Sequence, residues 1–354
     1  MQENELHESA ARFYFCTDNH MLRQTFPILF VAFIAFGIGC TNKKSYVLND
    51  SEKNSKEQLS ELIKQHPDDA PLYYYRASLY MKNGDGTSAL NDMLNAVRTD
   101  SSNAEYFLLL GDIYFSKLFI AQAISSFERC VTLDPKNISA ELKLAELFLY
   151  LKKYQDCIDH ADNALRIDKT NSKAYFIKGF MFKETKDTAK AISSFQTAIE
   201  QNPTYFDAYI QLGNLLTQKK NKLALNYYDH ALQLKKDDPE ALYGKAMYYQ
   251  EKDSIDAAEK LYQKILEATP DYKEALFNLG YIDLVYRSDY KHALEYFSAV
   301  CRLDTSDVRA FYNRGLSFEQ MKKKDMAEAD YRKALSLSPD YELAKEGLKR
   351  LGRK

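Results

Sequence analysis

From residue 70 to residue 341, apolar side chains recur every three or four positions in stretches of roughly a dozen residues, the spacing of one helix face. Short polar breaks rich in Asp, Asn, Lys, Gly and Pro separate the stretches. Residues 104–137, AEYFLLLGDIYFSKLFIAQAISSFERCVTLDPKN, show the pattern most regularly. One amphipathic stretch carries Leu110, Gly111 and Tyr114; a turn follows; the next carries Ala123, Phe127 and Cys130 and runs into Pro135. The spacing predicts two helices joined by a tight turn, with Pro135 beyond the end of the second.

The same unit is written again along most of the chain. A small residue at the middle of each first helix falls at Ala77, Gly111, Ala145, Gly179, Gly213, Ala246, Gly280 and Gly315, in steps of 34, 34, 34, 34, 33, 34 and 35. A second series follows at Ala89, Ala123, Cys157, Ala191, Ala224, Ala258, Ala293 and Ala327. Glycine inside a helix costs ~1 kcal/mol relative to alanine. It is kept where another chain segment must come close, here the second helix of the same unit. Phe127, Phe195, Tyr228, Tyr262, Phe297 and Tyr331 share a face with the second series and would fill the gap between units. Each stabilises by ~1.5–3 kcal/mol when fully buried.

These residues and spacings resemble the tetratricopeptide repeat, whose period is ~34 residues. The resemblance implies an all-α fold: a right-handed superhelical α-solenoid of eight helix pairs over 70–341. The units are 70–103, 104–137, 138–171, 172–205, 206–238, 239–272, 273–307 and 308–341. Residues 55–69 read as a half-unit covering the first repeat, and 342–354 as a C-terminal capping helix. The family's usual Trp at the fourth place is replaced by Tyr73, Phe107, Glu141, Tyr175, Tyr209, Leu242, Leu276 and Phe311. Glu141 is the weak case, and the third unit is expected to pack less tightly.

In this family the first helices line a concave groove at their second, fifth, ninth and twelfth places. The ninth place is polar in the first three units and mostly apolar from Phe180 onward. The resemblance therefore implies a groove for a protein or peptide segment, lined by Phe176, Phe180, Asn214, Tyr243, Met247, Phe277, Tyr281, Tyr312 and Leu316. The places that grip a C-terminal carboxylate in some family members hold Tyr74 and Ser78 here, which does not support that binding mode.

The N-terminal region has a different pattern. Residues 1–20 are polar and aperiodic, and Met21 is a plausible start that would make them an upstream extension. From Gln24 to Asn42 there is no charge. Residues 21–39 read as a signal peptide, and Gly37-Ile38-Gly39-Cys40 is similar to a bacterial lipobox. That resemblance implies acylation of Cys40 and a lipoprotein of the bacterial envelope, at the outer membrane because Thr41 is not Asp. Gly37 departs from the usual Leu. The alternative is an uncleaved inner-membrane anchor, since the uncharged run is close to the ~20 residues that cross a bilayer. Residues 40–54 read as a flexible tether.

Composition narrows the function further. Lys and Arg number 48 against 50 Asp and Glu, well interspersed along the sequence, which argues against a nucleic-acid partner. Five cysteines lack CxxC spacing and six histidines lack metal-ligand spacing, so neither a metal nor another cofactor is expected. No P-loop, GxGxxG, HExxH or GxSxG occurs. No catalytic residue is assigned, and an enzyme working through groove residues is the minor alternative to a binding scaffold. Cys130 and Cys157 lie seven repeat places apart, ~10 Å of helix rise, beyond the ~7 Å reach of a disulfide.

Overall fold

The computed structural model describes residues 48–53 and 55–352. The segment predicted as a signal peptide, Cys40 and the first part of the predicted tether lie outside them. The described residues are helical, without strands, and helices that follow one another in sequence pack in pairs, forming an α-solenoid. The eight pairs are Ala70–Lys82 with Gly86–Thr99, Ala104–Ser116 with Ile120–Leu133, Ile138–Tyr150 with Tyr154–Ile167, Ser172–Glu184 with Thr188–Gln201, Phe206–Gln218 with Leu223–Leu234, Pro239–Glu251 with Ile255–Ala268, Lys273–Ile282 with Tyr290–Leu303, and Val308–Gln320 with Lys324–Leu337. Lys56–Gln65 packs on the first pair and Glu342–Arg350 on the last.

Local chemistry sets the ends. Asp85, Asn103, Asn137, Asn171, Asp187, Asp238, Asp289 and Asp307 accept backbone N–H bonds from the first turn of the helix each precedes. Each such cap is worth ~1 kcal/mol. The turn inside every pair needs one residue with positive φ. Gly84 fills it in the first unit; Leu118, Lys152, Lys186, Lys220, Asp253, Ser288 and Lys322 fill it in the others.

Packing inside each unit follows the small-residue series. A Cβ built on Gly111 would lie 2.4 Å from Phe127, on Gly179 2.5 Å from Phe195, and on Gly213 2.5 Å from Tyr228. Gly244 and Gly347, outside that series, press on the preceding unit's tyrosine at 2.4 Å from Tyr228 and 2.6 Å from Tyr331. Tyr228 is thus clamped between Gly213 of its own unit and Gly244 of the next, and Tyr331 between Gly315 of its own unit and Gly347 of the capping helix.

The two spacing irregularities have different structural answers. The extra residue between Gly280 and Ala293 is absorbed by a π-helical segment, Asp283–Arg287, that continues the first helix of the seventh unit. The missing residue before Ala224 shortens the second helix of the fifth unit to Leu223–Leu234.

Three expectations are corrected. Glu141 does not loosen the third unit: it is buried, His160 Nδ1 lies 2.6 Å from one carboxylate oxygen and Asn163 Nδ2 donates to the other at 3.1 Å. The last part of the predicted tether is ordered, because Leu48 is buried in the first core cluster and Asp50–Lys53 forms a helical turn. There, Asn49 and Glu52 bond each other's backbone N–H reciprocally. Finally, Phe176 does not face solvent; it is 4% exposed, packs edge-on with Phe180 and Phe195 and lies tilted against Tyr205.

Candidate functional site

The first helices present one continuous face, and side chains cross it from unit to unit. Lys143 pairs with Asp112 at 2.6 Å and Lys173 with Glu146 at 2.7 Å. Lys183 Nζ donates to Gln211 at 2.9 Å and lies over the Phe180 ring at 5.3 Å. Asn278 Nδ2 donates to Tyr243 Oη at 3.2 Å and to Met247 Sδ at 3.5 Å. The Arg309 guanidinium lies 4.9 Å over the Phe277 ring. The result is a ladder of ion pairs, amides and aromatic rings.

The sequence-predicted residues sit on this face with unequal exposure. Phe180, Asn214, Tyr243, Met247, Phe277, Tyr281, Tyr312 and Leu316 are half-buried, and none is fully exposed. Much of their apolar area is spent on one another. Phe180 packs edge-on against Phe195, Phe277 against Phe297, and Tyr312 against both Tyr331 and Tyr341. Tyr281 meets Tyr286, at 6.3 Å between ring centres. Asn214 accepts the buried hydroxyl of Tyr228 at 2.8 Å.

The twelfth place explains part of that arrangement. Where the aromatic of the second helix is Tyr, the twelfth residue of the same unit is polar and meets its hydroxyl: Thr217 at 3.2 Å from Tyr228, Gln250 at 2.9 Å from Tyr262, and Glu319 at 2.5 Å from Tyr331. Where it is Phe (Phe127, Phe195, Phe297), the twelfth residue is Phe115, Lys183 or Leu284. A buried hydroxyl without a partner costs ~1–3 kcal/mol, so the two positions are chemically matched. Sequence reasoning missed the second and twelfth places as carriers of charge: Lys173, Lys183, Asp207, Glu240 and Arg309. Burial holds the Lys183 ammonium below its ordinary pKa and the Asp207 and Glu240 carboxyls above theirs.

Nothing in this face has the geometry of an activated nucleophile or a metal centre. Among the described residues no group of three His, Cys, Asp or Glu is placed to hold a metal ion. Cys130, Cys157 and Cys301 are free and buried, and desolvation pushes their thiols up to about 12, 12 and 11.

Tetratricopeptide repeat family models match residues 74–138, 172–205, 215–279 and 308–341, together more than half of the chain. The chain is a tetratricopeptide repeat protein. It is similar to human tetratricopeptide repeat protein 16, at 23% identity over 77% of this chain and 35% of that one. It is also similar to the human protein O-mannosyl-transferase TMTC3, at 22% identity over 75% and 31%. The chain spans about a third of the length of these curated relatives. Among solved structures, the Cut9–Hcn1 hetero-tetramer of the APC/C matches with a TM-score of 0.55 and 18% identity, over 85% of this chain and 59% of that chain. The C-terminal part of a tetratricopeptide repeat protein from Cytophaga hutchinsonii matches with a TM-score of 0.53 and 20% identity, over 67% and 98%. At these identities the structures support the tetratricopeptide repeat fold.

Proposed function

We propose that this protein is a scaffold that binds an extended or helical segment of another protein along the face of its first helices. The observation that carries the reading is the cross-unit ladder of half-exposed aromatic, amide and charged side chains, running from Asp112 to Arg309 on a tetratricopeptide repeat frame. Tyr and Arg on such a surface make efficient anchors because each combines large contact area with a polar handle. Tyr281 and Arg309, on adjacent units, are the anchors that can be removed without emptying the core. Peptides selected from a display library on the full chain should lose about tenfold in affinity, ~1.4 kcal/mol, on Tyr281→Ala with Arg309→Ala. Unchanged affinity with intact helical circular dichroism would place binding elsewhere.

The same proposal puts the scaffold at a bacterial envelope membrane, held by an acyl group on Cys40; an uncleaved inner-membrane anchor at residues 21–39 is the alternative. The support is the uncharged apolar run ending in Gly39-Cys40. Buried acyl chain contributes ~0.8 kcal/mol per CH₂. After a high-salt wash, which strips peripheral charge-dependent contacts, Cys40→Ser should leave the protein in the soluble fraction. Full membrane retention of that variant would favour the anchor.

A further inference from the structure

Eight of the eleven large hydrophobic residues that are exposed among the described residues lie within three positions of the turns inside the helix pairs: Leu118, Phe119, Tyr150, Leu151, Leu223, Val285, Tyr286 and Met326. These turns share one edge of the solenoid. Lys117 Nζ at the second turn donates to Thr87 beside the first at 3.0 Å, and Arg287 at the seventh pairs with Asp256 and Glu259 beside the sixth. Three of these turns are also rich in lysine. Exposed Lys152 and Lys153 flank the apolar tip of the third unit, Lys219, Lys220 and Lys222 that of the fifth, and residues 322–324 are three consecutive exposed lysines.

At the opposite edge, made by the turns between units, several carboxylates serve the fold. Asp134 and Asp168 accept backbone N–H bonds within their own turns. Asp304 accepts Lys273 Nζ at 2.9 Å, and that bond holds its carboxyl down to about 2. At the tip of the third unit, by contrast, apolar side chains stand in water beside the lysines: Tyr150 is 59% exposed and Leu151 38%. Leu118 sharpens the contrast: it is 56% exposed and takes the left-handed backbone, φ 61°, where the other units place Gly, Lys, Asp or Ser. A leucine there costs of order 1 kcal/mol in backbone strain and leaves its side chain in water. Phe119 follows as an N-cap that supplies no side-chain hydrogen bond.

We infer that this edge lies on an anionic lipid surface, with the Leu118, Phe119, Tyr150 and Leu151 side chains at the headgroup level and Lys152 and Lys153 against the lipid phosphates. Apolar and aromatic tips flanked by lysines suit the bilayer interface, where one end of the contact is greasy and the other charged. No described helix is long and apolar enough to cross a membrane, so the contact is peripheral. It does not depend on Cys40, and it leaves the ladder face open.

The sequence has no tryptophan, so a single introduced one reports only its own surroundings. Full-length Phe119→Trp and Leu303→Trp chains are reconstituted into vesicles of brominated phosphatidylcholine, with or without phosphatidylglycerol. Both share one N-terminus, so any difference between them belongs to the edges; Leu303 is 48% exposed and ends a second helix beside an acidic turn. The Phe119→Trp emission should shift to the blue and be quenched on the anionic vesicles, with Leu303→Trp unaffected. Lys152→Glu with Lys153→Glu should cut that response, roughly fivefold per positive charge lost. Equal quenching of both reporters, no quenching at Phe119→Trp, or a response indifferent to phosphatidylglycerol overturns the inference. A Phe119→Trp shift on adding a second copy of the chain, with none on vesicles, would assign the edge to self-association instead.

Discussion

At the scale of single residues, the contacts most sensitive to change are those where two units meet on one side chain. Gly244→Ala should destabilise by ~1–3 kcal/mol, because its Cβ would need the space of the Tyr228 ring, which a second glycine holds from the other side. Gly280→Ala should be close to neutral: its Cβ would sit 3.0 Å from the Phe297 ring, and the helix gains ~1 kcal/mol of propensity. Thermal unfolding followed by circular dichroism separates the two, and equal losses would refute the clamp. Glu141 gives a second case. Leucine at His160 alone removes a hydrogen bond from a buried carboxylate and should cost ~1–3 kcal/mol. Glu141→Leu with His160→Leu should cost less than His160→Leu by itself, because the pair is removed together. A double variant worse than the single would show that the network specifies the unit beyond its charge balance.

At the scale of elements, the π-helical segment is the most unusual piece. Asp283 lies at its start, where burial foremost and then the Asp289 and Glu259 carboxylates push its pKa from 3.8 to about 6. A carboxyl whose folded pKa is raised binds more protons folded than unfolded between those values. Stability therefore falls as pH rises from about 4 to about 6, and the loss is complete above that. Asp283→Asn should be no more stable than wild type at pH 4 and more stable at pH 7, as read by urea midpoints. An identical difference at both pH values would assign the change to packing. The sequence announced this element through its extra residue between Gly280 and Ala293. It did not say whether a longer turn or a π-helical segment would absorb it. That was decided by Phe297, which the first helix must still meet at Gly280.

At the scale of the whole array, neighbouring units supply each other's cores, so stability is largely nearest-neighbour. The final helix covers Tyr331 through Gly347, and Arg350 makes a two-pronged ion pair with Glu319. Removing residues 342–354 should loosen the last unit, Val308–Leu337, and leave the early units protected. Hydrogen exchange reads this directly, and uniform deprotection would indicate a single cooperative block. The edges of the solenoid belong to this scale too. The turns inside the pairs lie far apart in sequence, and folding brings the lysines of the third, fifth and eighth units to one edge.

The sequence by itself determined the period, the helix pairs, the small positions and the aromatics that meet them, because these follow from backbone geometry and local spacing. Pro135 and the Asn and Asp caps marked the ends of helices for the same reason. What only the tertiary structure decided is which half-apolar side chains remain available. Phe180 at the ninth place and Phe277 and Tyr312 at the fifth all read as groove aromatics, yet each spends its ring on an aromatic of its own unit's second helix. Exposure depends on contacts tens of residues away, and no local pattern encodes them. For that reason the ladder, the tyrosine partners at the twelfth place and the gathering of apolar tips on one edge emerged from the folded chain.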